Sequence, residues 1–149
     1  MLRVTKLTDY ATVVLTVLAA DAAAVLSASE LADRAGLEVP TVAKLLKPLA
    51  QAGLVEGFRG ANGGYRLARD PAAISLVEIE EAMEGPLAMT ECSEHAGQCG
   101  IQHSCGVRAN WRRINDVVAE ALGAVSLAQM LGPPQRTARK PISLQLANA

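Results

Sequence analysis

Three cysteines, Cys92, Cys99 and Cys105, follow one another with six and then five residues between them. Thiolates are soft ligands that select zinc, copper(I) or iron–sulfur clusters. Zinc loops commonly pair their cysteines across roughly two to four residues, a spacing that does not occur here. An open loop of three thiolates wraps a cluster more comfortably than a single ion. On spacing alone, a structural zinc site, three unrelated thiols and a regulatory disulfide all remain open. A three-thiolate site needs a fourth donor, and His95 and His103 lie within the loop. Asp9 is a further candidate, supplied by the partner chain of a dimer. A hard carboxylate on a cluster would leave one iron labile. An enzyme with a nucleophilic cysteine and His95 or His103 as base is the catalytic alternative. The chain offers no oxyanion or substrate-pocket motif to support it, so a non-enzymatic role is expected.

A second group of residues suits nucleic acid. Pro40, Thr41, Ala43, Lys44 and Lys47 fall at the start of a helix whose inward stripe is Val42, Leu45, Leu46 and Leu49. Set in a major groove, Lys44 and Lys47 reach phosphates or a guanine edge. Arg59, Gly60 and Arg66 lie on a glycine-rich hairpin, and arginine is favoured in the negative potential of a minor groove. The same architecture also serves protein contacts alone, so the pattern by itself leaves both uses open.

The net charge of −1 is unevenly spread. Residues 1–70 carry eight Lys/Arg against seven acids, residues 71–104 six Glu and no base, and residues 105–149 six bases against two acids. A nucleic-acid-binding half joined to an acidic connector fits this distribution, as does an ordinary solvated helix face. Only Phe58, Tyr10, Tyr65 and Trp111 are aromatic, although half the residues are apolar. The core must therefore be built from Ala, Leu, Val and Ile, which favours closely packed helices.

The elements that position these groups follow from periodicity and caps. Leu7, Ala11, Val14, Leu15 and Leu18 recur at helical spacing and predict a first helix over Thr5–Ala24. Ser27 or Ser29 caps a short second helix, and Gly36 suits a left-handed turn after it. Pro40 belongs in the first turn of a third helix, Thr41–Gln51, where its missing N–H costs nothing. Pro48 is expected to bend or tighten that helix near its end. Two short strands then flank the glycine-rich turn between Phe58 and Leu67. Ser75 and Glu78 form a capping box that opens Leu76–Glu84. Residues 87–104 have no clear period. A long helix over Val107–Gly123 follows, with Trp111, Ile114, Val118 and Leu122 on one face. Val117 and Ala121 widen that stripe to a span suited to a partner helix. Ser126 caps a further turn through Met130, and Gly132 begins a polar, basic tail expected to be disordered.

The expected fold class is mainly α with a small β-hairpin wing: a winged helix-turn-helix and a long dimerisation helix. The divisions are 1–70 for the DNA-binding unit, 71–86 for a connector helix, 87–106 for the cysteine loop, 107–131 for dimerisation and 132–149 for the tail. Arg3 and Lys6 before the apolar run Ala11–Ala20 superficially suggest an export signal. That run is about half the ~20 residues that span a bilayer. Cleavage would also remove the first helix and leave an odd cysteine in an oxidising compartment. A cytoplasmic bacterial protein, without membrane attachment or small-molecule substrate, is the expectation.

The opening Leu7–Ala11, the wing Phe58–Leu67 and the three-cysteine loop together resemble the IscR/NsrR (Rrf-type) family of iron–sulfur-responsive winged-helix regulators. The likeness runs from residue 1 to about 131. The stretches Leu87–Cys92, Cys105–Asn115 and Val125–Met130 look most like the branch that regulates the SUF cluster-assembly operon. The resemblance implies a homodimer held by the helix around Trp111–Leu122. It implies a 2Fe–2S or 4Fe–4S cluster on Cys92, Cys99 and Cys105, and repression through an operator in double-stranded DNA. It also implies DNA contact by the helix starting near Pro40 and by Arg59. The chain departs from the family at two places. IscR-like members carry a histidine ligand three residues after the last cysteine, where this chain has Arg108. Their recognition helix has polar base-reading residues where this chain has Ala43 and Lys44. NsrR-like members use an N-terminal aspartate of the other subunit, and Asp9 stands at the matching place, which favours it over His103 as fourth ligand.

Overall fold

The computed structural model describes residues 3–93 and 99–133. His95 and the tail beyond Pro133 lie outside them. Helix α1 spans Lys6–Ala20, and the Thr5 hydroxyl accepts the Thr8 N–H at its start. It stops one turn before the expected Ala24: Asp21, Ala22 and Ala23 are exposed, and Ala24 N–H turns back onto the Asp21 carbonyl at 3.0 Å. Helix α2 is Ala28–Ala35, with a Ser27–Glu30 capping box and Gly36 left-handed behind it at φ 67°. Helix α3 is Val39–Gln51 and contains Pro40 in its first turn.

Pro48 does not end α3; the tightening comes just after it. Gly53 N–H bonds to the Ala50 carbonyl at 3.1 Å and Leu54 N–H to the Leu49 carbonyl at 3.0 Å. With Gly53 at φ 72°, this pair of bonds closes the helix as a Schellman motif.

Strands β1 (Val55–Phe58) and β2 (Gly64–Leu67) pair antiparallel, Val55 opposite Leu67 and Phe58 opposite Gly64. A third segment joins them: Leu26 exchanges both backbone hydrogen bonds with Tyr65, at 2.9 and 2.7 Å. That contact requires glycine at 64, because a Cβ there would sit 2.4 Å from the Leu26 carbonyl oxygen. A 3-10 turn, Pro71–Ala73, leads to α4 (Leu76–Glu84), capped as expected by the Ser75–Glu78 box. Helix α5 is Arg108–Gly123 and α6 is Leu127–Leu131.

Helices α1, α2, α3 and α4 enclose one aliphatic core, in which Val14, Leu15, Leu31, Leu45, Leu49 and Ile79 are fully buried. The chain returns to this core at its far end. Leu76 N–H bonds to the Val125 carbonyl and Leu127 N–H to the Ile74 carbonyl, each at 2.8 Å. Ile74 and Leu127 are fully buried, and α6 packs on α1. Helix α5 is different. Asn115 is its one buried residue, Ile114, Val118 and Leu122 are half-buried, and Trp111 is exposed. Its apolar stripe is therefore only partly covered by the described residues of its own chain.

Candidate functional site

The outer face of α3 is cationic because its inner face is aliphatic. Val42, Leu45, Leu46 and Leu49 turn into the core, and this leaves Pro40, Ala43, Lys44 and Lys47 exposed, with Thr41 half-buried. Arg59 and Gly60 are exposed at the wing turn, which Gly63 N–H closes onto the Gly60 carbonyl at 3.0 Å. Among the described residues the ion pairs are Arg66–Glu56 and Arg69–Glu78, so Lys44, Lys47 and Arg59 hold unneutralised charge. Arg66 stands apart from this set. Its Nε donates to Glu56 at 3.0 Å and its guanidinium lies 4.9 Å from the Phe58 ring centre, so it is engaged along the wing strands.

The cysteines occupy the connection between α4 and α5. Cys92 is buried, Cys99 and Cys105 half-buried, and all three are free thiols. The Thr90 hydroxyl lies 3.2 Å from Cys92 Sγ and 2.8 Å from Ser93 Oγ, within a turn in which Ser93 N–H bonds to the Thr90 carbonyl. Cys105 sits three residues before the first residue of α5. His103 is exposed. Asp9 is exposed in the first turn of α1, beside a separate groove with Lys6, Leu76 and Met130 that contains no cysteine. Among the described residues, no three His, Cys, Asp or Glu side chains are grouped closely enough to hold an ion. A single chain therefore does not bring the predicted ligands together.

Two further polar sets hold this connection, and neither is apparent from motifs. Asn115, midway along α5, accepts the Met89 N–H at Oδ1 and donates from Nδ2 to the Leu87 carbonyl, both at 3.0 Å. It clamps the strand of chain leading to Cys92 against α5. At the other end, Glu84 closes α4 and accepts hydrogen bonds from the Thr5 and Thr8 hydroxyls, the latter at 2.8 Å. The cysteine connection thus starts from a point tied to the first turn of α1. The sequence does carry a hint of the clamp: Asn115 is a polar residue at the edge of the apolar stripe, about 20° around the helix from Leu122.

Glu80 is the one carboxyl in α4 whose pKa is raised, by burial and by the neighbouring Glu84 and Glu81. Glu78 is lowered, by the Ser75 N–H and then by Arg69.

A helix-turn-helix with a cationic outer face, followed by a β-hairpin wing bearing a free arginine, defines a winged-helix DNA-binding transcription regulator. The chain belongs to the Rrf2 family of iron-dependent transcriptional regulators, whose model matches residues 4–133. It is 36% identical over 132 residues to protein aau3 of Rhizobium meliloti, covering 87% of this chain and 85% of that one. It is 29% identical over 103 residues to IscR of Xenorhabdus nematophila, covering 69% of this chain and 62% of that one. Among solved structures it resembles CymR, the global cysteine regulator of B. subtilis, with a TM-score of 0.68 and 30% identity over 88% of this chain and 97% of that one. IscR of T. potens matches with a TM-score of 0.66 and 30% identity over 87% and 86%. The chain is accordingly a DNA-binding regulator and not an enzyme. No helix among the described residues is long and apolar enough to cross a membrane.

Proposed function

We propose that this regulator is a homodimeric, cytoplasmic repressor of SUF-type iron–sulfur assembly genes, controlled by an iron–sulfur cluster on Cys92, Cys99 and Cys105, with Asp9 of the partner chain as fourth ligand. The observation that carries this reading is the placement of three free thiols on the one connection that joins α4 to α5. Three soft thiolates suit an iron–sulfur cluster, and such a cluster, when bound, supplies a group that oxidants and iron supply alter. The within-chain separation of Asp9 from the cysteines is what a ligand contributed across a dimer requires. The partly exposed apolar stripe of α5, Trp111, Ile114, Val118 and Leu122, supplies the surface such a dimer would bury.

The chain's own residues suggest how the signal would travel. Cys92 is linked to α5 through the Asn115 clamp and to α1 through Glu84. A rearrangement of the cysteine connection would therefore bear on both the dimer helix and the DNA-binding unit. In this reading Pro40, Thr41, Ala43, Lys44 and Lys47 of α3 face the major groove, and Arg59, Gly60 and Arg66 contact the adjoining minor groove. Arg66 would have to release Glu56 to do so.

Anaerobic reconstitution with iron and sulfide, followed by visible absorption, tests the cofactor. Cluster absorption that Cys92→Ala abolishes, with DNA release altered in the same variant, is the expected result. Absence of iron and sulfide binding, or parent-like DNA release by Cys92→Ala, overturns the reading.

A thiol-redox or nitric-oxide-responsive regulator is the second reading, favoured by the resemblance to the oxidized form of Staphylococcus aureus CymR, at a TM-score of 0.63 and 26% identity. Metal content after purification without oxygen separates the two.

A further inference from the structure

An open cleft of about 860 Å³ lies between the end of α4, the connection after it and the first turns of α5. Its volume falls in the range of small-molecule sites. Arg108, Arg112 and Arg113 line it, against the acids Glu81 and Asp116, so its described lining carries a positive excess of one. None of these arginines is ion-paired among the described residues, where the pairs are Arg66–Glu56 and Arg69–Glu78. The Nε of Arg108 is buried without a hydrogen-bond partner among those residues. A buried donor left unpaired is costly, and a donor in a cleft lined by two further guanidiniums calls for an acceptor. The start of α5 adds to this demand. Val107 precedes the helix and provides no side-chain acceptor for its first N–H groups, and a helix start favours negative charge.

We propose that this cleft binds a small organic carboxylate. A guanidinium fork matches a carboxylate in bidentate geometry. Pro86, Leu87 and Ala119 offer apolar walls for a short carbon chain. Glu81 and Asp116 hold the excess charge to one, which disfavours a doubly charged phosphate in the same place. At about 100° per residue, Arg108, Arg112 and Ala119 centre roughly 90° around the helix from Trp111, Ile114, Val118 and Leu122, so they flank the stripe a dimer would bury and do not form part of it. Cys105 also lines the cleft, so a ligand there would bridge Leu87 and α5 and act on the same connection as the cluster proposed above.

Isothermal titration calorimetry of the full-length protein, purified without oxygen, tests the site with sodium pyruvate and sodium lactate as probes. Inorganic phosphate and sodium chloride at matched ionic strength form the comparison arms. The expected result is saturable binding of one or both carboxylates at one site per chain. That binding should weaken at least about tenfold in Arg108→Gln/Arg112→Gln and persist in Arg34→Gln. If the double variant does not fold by circular dichroism, the exposed Arg112→Gln alone carries the comparison. No saturable heat with either carboxylate, equal heat with chloride, saturation by phosphate only, or undiminished binding in the folded variant each overturns the proposal.

Discussion

Replacing Asn115 with alanine removes both hydrogen bonds that hold the start of the cysteine connection to α5. The Met89 N–H loses its acceptor and the Leu87 carbonyl its donor, each from a bond of 3.0 Å. Asn115 is 8% exposed, so water does not replace its amide freely in the intact structure. Leu87 and Met89 are themselves half-buried, which places the cost of stranding each group toward the lower part of the usual range. About 1–1.5 kcal/mol for each gives about 2–3 kcal/mol for the pair. The loss is local, because the aliphatic core of α1–α4 contains neither residue. Hydrogen exchange read by mass spectrometry should therefore quicken at residues 87–93 by roughly 30- to 150-fold, at about tenfold per 1.4 kcal/mol. Exchange in α1 and α3 should stay near the parent's. Asn115→Asp keeps the acceptor for Met89 but loses the donor to Leu87 and sets a charge against that carbonyl, so it should open the segment nearly as much. Unchanged exchange at 87–93 in a folded Asn115→Ala protein would refute the clamp.

Lys44→Ala and Arg59→Ala should each weaken binding to DNA and reduce the dependence of log K on log salt by about one, checked by fluorescence anisotropy across a salt series. Gly64→Ala places a Cβ 2.4 Å from the Leu26 carbonyl oxygen and 2.5 Å from its carbon. It should cost about 1–3 kcal/mol and lower Tm by several degrees in a thermal melt. Glu78 has a folded pKa below its ordinary 4.5, so its stabilising contribution is fully present above that value and lost as pH falls through the lowered one. Glu78→Gln should therefore flatten the acid limb of the stability–pH curve measured by urea unfolding.

Most of the DNA-binding unit was legible because local rules and packing agree there. The four buried positions of α3 were identified by helical spacing, and the Ser75–Glu78 box located the start of α4 to the residue. The Leu26–Tyr65 bridge was not legible. A single β contact between distant residues leaves no periodicity behind it, and the glycine at 64 reads equally well as ordinary turn chemistry. Arg66 was grouped with Arg59 because both are basic wing residues, but strand alternation sets it opposite Glu56 and over Phe58. The cysteines announced a site by chemistry alone. Their support did not, since Asn115 acts through the backbone of an aperiodic segment and Glu84 through hydroxyls at the opposite end of the chain. Nor could spacing reveal that Asp9 lies beside a groove without cysteines, apart from Cys92, Cys99 and Cys105.

The paired backbone bonds around Ser75 and Ser126 have a consequence for modularity. The polypeptide passes from Ile74 into α4, which still packs on the core of the reading unit through Ile79, and returns to that core at Leu127 through the same two-strand seam. The stretch between, from Gly85 through the cysteines to the end of α5, is the insertion, entered and left beside that seam. Such a cassette can lengthen, shorten or change its chemistry without recutting the helices that meet DNA, provided both sides of the seam survive. A chimera made by exchanging residues 85–124 with those of another sensor should keep the reading unit intact, whereas truncation after Val125 removes Leu127 and opens the core it seals.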